Sequence, residues 1–520
     1  MTNKSNAKLI YSNTKWVMIG KVFTQLLGLI ALVFVLRKID VDIFGTFSFL
    51  ITTFLFFNIF GLSPFVATIR RYIPEMLSQS DFRGIRKFVA WTVIFSFAVF
   101  LILSIIFYIF RNELGDFFNI PSLPQYIVLT MIYLLFHYYE RIFKNLTQSL
   151  LLNRLLSKAN IFASFVKTML YFIFLPRLDI NLLLKIEIIH NIIIFFLIIL
   201  FISDYLRKNI KNTIKKDTTA FDFRRVFRHA FFSSLSEFGQ GALGRSSDIF
   251  IVSAISNPVQ LGLYSFGNRI YSIVSRIVPA KELMSVIRPM FIKKFTAGYQ
   301  TDEFQKIYNF IIKFLLPVYV TPALYFLVFG ENVIQYVFDE KYMDAYFVTF
   351  ILLFSQVFHG MFISQGITIE LMEKMEIKFY TQAITFVSIF IGIYAMYVFG
   401  INGLAVATTI GLSSKYIVMQ ILLRRHVRIS YDWIAYFKYF IIYSILTVVF
   451  FAANQLVTGI LTLAIASILY CLTLILLIFR INPFSSYDRE LLTKISENSK
   501  VFSNVSIVIK KGIRLNRPLI

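Results

Sequence analysis

Fourteen stretches of about 20 mainly apolar residues follow one another along the chain, and that repetition decides what it can fold into. They run approximately over 16–36, 43–66, 88–110, 124–147, 159–176, 181–203, 230–254, 262–290, 307–330, 344–366, 379–399, 402–423, 434–456 and 458–479. Each is long enough to cross a hydrocarbon core as a helix, the form in which a segment satisfies its own backbone polar groups without water. The expected fold is an all-α polytopic membrane protein with fourteen transmembrane helices. A mean hydropathy of +0.72 agrees, being well above what a soluble core of this size hides. No small-residue cleavage site follows the first segment, which is too long for a signal sequence, so it is read as a retained span. The single cysteine, Cys471, excludes an internal disulfide and most cysteine-based metal sites.

The 52 lysines and arginines against 28 acids leave a formal net charge of +24. With the N-terminus in the cytoplasm, the inner connections collect Lys4, Lys8 and Lys15, the group from Arg70 to Lys87, Arg154 and Lys158, the cluster over 207–228, and the basic tail. The outer loops offer only Arg37, Lys38, Arg111, Arg177, Lys185 and Lys341. This is the positive-inside pattern, and an even number of spans returns both termini to the cytoplasm. Topology and attraction to anionic membrane lipids account for these charges, so nucleic acid is not an expected partner.

The longest inner connection, "RKNIKNTIKKDTTAFDFRRVFRH" over 207–229, is polar, basic and placed after the sixth span. Across it runs an internal echo. "GTFSF" at 45–49 opens span two and "GLYSF" at 262–266 opens span eight, and each is followed, 26 residues after its glycine, by Arg71 or Arg288. Both spans run from the outer to the inner face, so the repeat is parallel, of the kind that relates transporter lobes about an axis normal to the membrane. The expected organisation is a six-helix lobe over 1–206, the basic linker 207–229, a second six-helix lobe over 230–430, two additional helices over 431–480, and a basic cytoplasmic tail over 481–520.

A long N-terminal span, the G-x-[FY]-S-F openings, "FGL" at 60–62 ahead of Arg70 and Arg71, "LGLYSFGNRI" at 261–270 and "FGINGLAVATTI" at 399–410 together give the chain its likeness. It resembles the polysaccharide (Wzx-type) flippases of the multidrug/oligosaccharidyl-lipid/polysaccharide exporter superfamily. The resemblance implies two pseudo-symmetric six-helix lobes plus two C-terminal helices. It also implies alternating access that carries a polyprenyl-pyrophosphate-linked oligosaccharide from the inner to the outer leaflet of a prokaryotic cytoplasmic membrane. The implied setting is cell-surface polysaccharide biosynthesis, by a monomer alongside polymerase or glycosyltransferase partners, with O-antigen of lipopolysaccharide, capsule and teichoic acid left open.

Charges inside the apolar segments point to the chemistry. An arginine at mid-bilayer costs about 2.5–3.5 kcal/mol on insertion scales, so a retained one normally faces protein or water. Arg269 and Arg276 are seven residues apart and differ by about 20° around a helix, which places them on one face. Guanidinium forks bind phosphate bidentately and stay charged. Arg269, Arg276 and Arg245, with Lys21 and Lys167, are therefore the candidate pyrophosphate-binding residues, in a cavity between the lobes. The structural alternative pairs each with an acid, Arg245 with Asp248 three residues on. Lys144, Arg141, Lys313 and Lys415 are expected to snorkel to the inner interface.

An acid buried beside a cation can exchange a proton or bind Na⁺ while lobes rock, and Glu237, Asp248 and Glu187 are the candidates for coupling to H⁺ or Na⁺. His190 and His359 titrate in a suitable range, although a lone membrane histidine is more often a packed hydrogen-bonding residue. No metal and no other cofactor is expected. Walker A, G-x-S-x-G, H-E-x-x-H and C-x-x-C patterns are absent from the sequence, and the outer loops span only about a dozen residues, which argues against an enzyme such as a membrane glycan ligase. A multidrug and toxin extruder is the other transporter reading. Its cationic substrates would be repelled by surplus positive charge.

Overall fold

The computed structural model describes residues 3–210, 230, 246–277, 302–372 and 374–491. Every element among them is helical. The main helices are α1 (Asn3–Lys38), α2 (Val41–Thr52), α3 (Ser63–Ser78), α4 (Phe82–Ile109), α5 (Leu123–Ser149), α6 (Asn153–Phe174) and α7 (Ile180–Ile210). There follow α8 (Ser246–Ile255), α9 (Pro258–Ile277), α10 (Asp302–Asn332), α11 (Tyr346–Leu371), α12 (Met375–Arg424), α13 (Trp433–Ala453) and α14 (Ile460–Ile481). Nine helices among the described residues are long and apolar enough to cross a membrane, and Val41–Phe57 adds a shorter apolar one. Most of the expected linker lies outside the described residues, as do parts of the seventh and eighth expected spans. The chain divides into two compact units, 1–269 with 396–401 and 270–395 with 402–520.

In the first unit, α2 and α3 are joined by a four-residue helix, Phe54–Phe57, and a π-helical turn, Asn58–Leu62. The distortion follows from the sequence. Thr52 and Thr53 turn their hydroxyls back onto the carbonyls of Ser48 and Leu50, at 2.7 and 2.6 Å, bonds that commonly bend a helix. The core gathers Phe57, Leu62, Tyr138, Ile142 and Leu146, all buried. Along α4, Ile94, Ile102 and Ile109 point outward, Ile102 being 59% exposed, an apolar surface that lipid covers and water would not tolerate.

The internal echo has a geometric counterpart in this unit. A Cβ on Gly45 would lie 2.7 Å from the amide nitrogen of Gly262 and overlap the carbonyl oxygen of Pro258. On Gly262 it would overlap the carbonyl oxygen of Val41 and come within 2.7 Å of that residue's Cγ1. Val41 and Pro258 each precede their glycine by four residues and each begin a helix, α2 and α9. Equivalent positions thus meet equivalent positions, as across a two-fold axis, and only glycine lets the backbones come so close.

The helix α12 is broken at Gly400, whose φ of 61° and ψ of −153° lie in a region that glycine alone adopts readily. That turn separates the eleventh and twelfth expected spans. Beyond it the two halves pack tightly, since a Cβ on Gly411 would come within 2.5 Å of the Ser388 hydroxyl oxygen.

Candidate functional site

The polar interior of the first unit grows from one face of α6. Asn153, Ser157, Asn160, Ser164, Lys167 and Tyr171 follow one another at steps of three and four residues, a continuous stripe at helical spacing. Lys167 forms an ion pair with Glu187 of α7 at 2.5 Å, and the Tyr171 hydroxyl donates to the same Glu187 oxygen at 3.1 Å. The two charged side chains are 22% and 13% exposed, so the pair is sheltered. Arg269 of α9 is exposed and near enough to act electrostatically on Glu187, Tyr171 and Tyr133. No described residue forms an ion pair with it.

A second pair lies on α5, where Lys144 and Glu140 meet across one helical turn with Glu140 only 3% exposed. His137 Nδ1 approaches Glu140 at 3.9 Å and the side-chain oxygen of Asn191 at 3.4 Å. Beside Lys144 opens a cavity of about 370 Å³ bounded by α1, α5, α6 and α7, and Lys21 lines it together with His190. The π-helical turn at Asn58–Leu62 belongs to the same unit, and such turns recur at functional sites.

The expected site residues therefore separate. Lys167, Glu187 and Arg269 come together, Lys21 stands on the wall of the cavity, and Arg276 is an exposed residue of α9 counted with the second unit. Asp248 is buried at 4% exposure and accepts a hydrogen bond from Tyr264 at 2.5 Å. Arg245 and Glu237 lie outside the described residues, and with them the expected pairing of Arg245 and Asp248. His190 is held through Nδ1, 3.2 Å from the carbonyl of Ala163, and His359 Nδ1 lies 3.3 Å from the Tyr416 hydroxyl. His190 is thus a packed histidine, while His359 stands at an exposed position with its named partner.

The snorkelling expectation fails for Lys313. This lysine is 3% exposed and is held by Asp432 at 3.0 Å and by Asp488, itself 2% exposed. A buried ammonium needs carboxylates, and here it has two, one of them from the segment beyond α14. Lys144 pairs with Glu140 on its own helix. Lys415 bonds the side-chain oxygen of Gln382 at 3.0 Å, and Arg141 stacks over Phe54 at 5.2 Å.

No candidate metal cluster of His, Cys, Asp and Glu is found among the described residues. Sequence reasoning passed over Gln148, Asn153 and Asn160, three carboxamides that line the cavity. The periodicity of the α6 stripe was the signal that could have found two of them.

Residues 10–295 match the family described as "Polysaccharide biosynthesis protein", more than half of the chain. The chain belongs to this family, the polysaccharide flippases that its sequence resembles. None of the curated proteins matches it. Among solved structures, one described as lipid II flippase MurJ in an inward closed conformation aligns with a TM-score of 0.64 at 13% identity, covering 89% of this chain and 97% of that one. An inward-facing multidrug resistance MATE transporter of the MOP superfamily aligns at a TM-score of 0.58 with 14% identity, covering 77% and 94%. The Vibrio cholerae MATE transporter VcmN gives a TM-score of 0.52 at 13% identity, covering 81% and 98%. At such identities the likeness is one of fold, and the fold is that of this superfamily.

Proposed function

We propose that the protein carries a polyprenyl-pyrophosphate-linked oligosaccharide from the inner to the outer leaflet of a prokaryotic cytoplasmic membrane by alternating access. The observation that carries this reading is Arg269. Lys144, Lys167 and Lys313 each have a carboxylate, whereas Arg269 stands exposed at the upper end of the polar stripe without an ion pair to a described residue. A guanidinium in that setting is a place for a pyrophosphate whose lipid tail remains in the bilayer. Family membership supports a role in polysaccharide biosynthesis. The positive balance of the apolar segments disfavours the cationic substrates of a drug extruder. In the sheltered Lys167–Glu187 pair, Glu187 is the coupling acid of this proposal, exchanging H⁺ or Na⁺.

The test is transport in proteoliposomes. Wild-type protein should move a pyrophosphate-linked glycolipid between leaflets. Arg269→Ala should reduce the rate at least tenfold, equivalent to about 1.4 kcal/mol of lost stabilisation. A correctly folded variant that transports normally removes the arginine from the site, and a wild type that moves no such lipid ends the reading.

A further inference from the structure

The cavity bounded by α1, α5, α6 and α7 is lined by an unusual share of hydrogen-bond acceptors. The Thr24 hydroxyl donates its proton to the carbonyl of Gly20 at 2.8 Å, and the Ser157 hydroxyl does the same to Asn153 at 3.0 Å. A carbonyl can only accept, so the neutral His190 ring carries its proton on Nδ1, where it meets Ala163, and Nε2 on the opposite edge of the ring is left with a lone pair. Three side chains therefore present acceptors to the cavity. A phosphate, itself an acceptor, gains nothing from them. A ligand rich in O–H donors does.

The remaining polar wall extends the match. Gln148, Asn153 and Asn160 line the same space, and none has a side-chain hydrogen bond to a described residue. Amides inside a membrane bundle ordinarily bond one another or a backbone group, since an unbonded amide away from water is costly. Each carboxamide offers a donor and an acceptor side by side, the pattern presented by adjacent sugar hydroxyls or an acetamido group. Lys21 and Lys144 also line the cavity and no carboxylate does, which turns away a cationic ligand and admits a neutral or acidic one. At about 370 Å³ the space falls within the usual range of ligand pockets, about 300–1,000 Å³. The stripe on α6 then leads from Asn160 to Lys167, two helical turns or about 10 Å along the axis, toward the region of Glu187 and Arg269.

We propose that this cavity is a carbohydrate subsite, in which the carboxamides of Gln148, Asn153 and Asn160 hold a sugar of the lipid-linked substrate while the cations farther along α6 and α9 hold its pyrophosphate. The inference rests on the function proposed above and adds a place where the glycan itself is recognised.

The experiment uses the full-length protein in nanodiscs, with Cys471→Ser to remove the only native thiol and Val17→Cys to introduce one on the cavity wall while leaving the three carboxamides in place. The rate of labelling by a water-soluble maleimide is measured with two probes. One is the polyprenyl-pyrophosphate-linked oligosaccharide fraction extracted from the native host's membranes, and the other is polyprenyl pyrophosphate without sugar. The glycan-bearing fraction should slow labelling at least fivefold and the sugar-free lipid less than twofold. Equal protection by both would assign the cavity to pyrophosphate or lipid and overturn the subsite. No protection by either, with the host glycolipid still transported by wild-type protein, would overturn the subsite and leave the function standing. No protection and no transport would remove the function and the subsite together. Leu156→Cys, also on the cavity wall, gives the same readout should Val17→Cys fail to fold.

Discussion

The cations of the two units have opposite surroundings. Lys313 in the second unit is 3% exposed and is closed in by Asp432 and Asp488, while its own carbonyl accepts the Tyr439 hydroxyl at 2.9 Å. Asp432 also accepts from the amide of Ala435 at 3.1 Å at the start of α13, and Asp488 from the amide and hydroxyl of Ser485, both at 2.8 Å. The arrangement ties α10, α13 and the segment beyond α14 into one piece. In the first unit, Lys167 shares Glu187 with Tyr171, and Arg269 lies in the field of the same carboxylate without a pair of its own. A fully answered cation serves the fold. An unanswered one is available to a ligand.

The strongest way to break this comparison is Lys313→Met, which removes one cation and leaves two carboxylates facing each other in a buried site. Breaking a buried ion pair from one side costs about 3–5 kcal/mol. Denaturant unfolding of the detergent-solubilised variant should show a loss of that size. A loss under about 1 kcal/mol would mean that the triad is solvated and does not hold the unit together.

How far the sequence announced these arrangements depends on the distance between partners. Spans were readable because apolar runs and glycine-rich turns are local, and the break at Gly400 falls in the quoted "FGINGLA". The triad was not, since Asp432 and Asp488 stand 119 and 175 residues from Lys313. A lone lysine near a helix end then reads as snorkelling. On α6 the signal was present in the spacing from Asn153 to Tyr171, but small polar residues on a membrane helix resemble the contacts that join helices. Gly45 and Gly262 stood out as a repeat. That they would meet each other required coordinates.

That glycine contact yields the next largest effect. Gly45→Val and Gly262→Val should each destabilise by about 1–3 kcal/mol, the usual range for overpacking, because in both cases the added atoms meet backbone rather than a movable side chain. Gly28 on α1 has open space where its Cβ would be, so Gly28→Ala is the control and should leave stability unchanged or slightly raised. Similar losses at 45 and 262 would confirm the reciprocity of the crossing in unfolding measurements. A loss at only one would show that the two sides are not energetically equivalent.

A smaller effect separates the two tasks of Asp488. Its carboxylate holds Lys313 and also takes part with Ser485 in a reciprocal cap, in which the Asp488 amide donates back to the Ser485 hydroxyl at 3.2 Å. Ser485→Ala removes the cap and leaves the ion pair, and should cost about 1 kcal/mol. If it cost as much as Lys313→Met, the cap rather than the charge would be holding the segment beyond α14 in place.

The smallest expected change in stability is at Arg269, and it sharpens the comparison most. The side chain is exposed and has no ion pair with a described residue, so Arg269→Ala leaves no carboxylate newly stranded, with Lys167 still on Glu187. Unfolding free energy should move by no more than about 0.5 kcal/mol, as for a surface substitution, while glycolipid transport falls at least tenfold. Lys313→Met should show the reverse, with stability lost and the transport rate per folded molecule kept. If Arg269→Ala instead destabilised the protein by several kcal/mol, the arginine would be serving the fold, and the distinction between an answered and an available cation would no longer separate the two units.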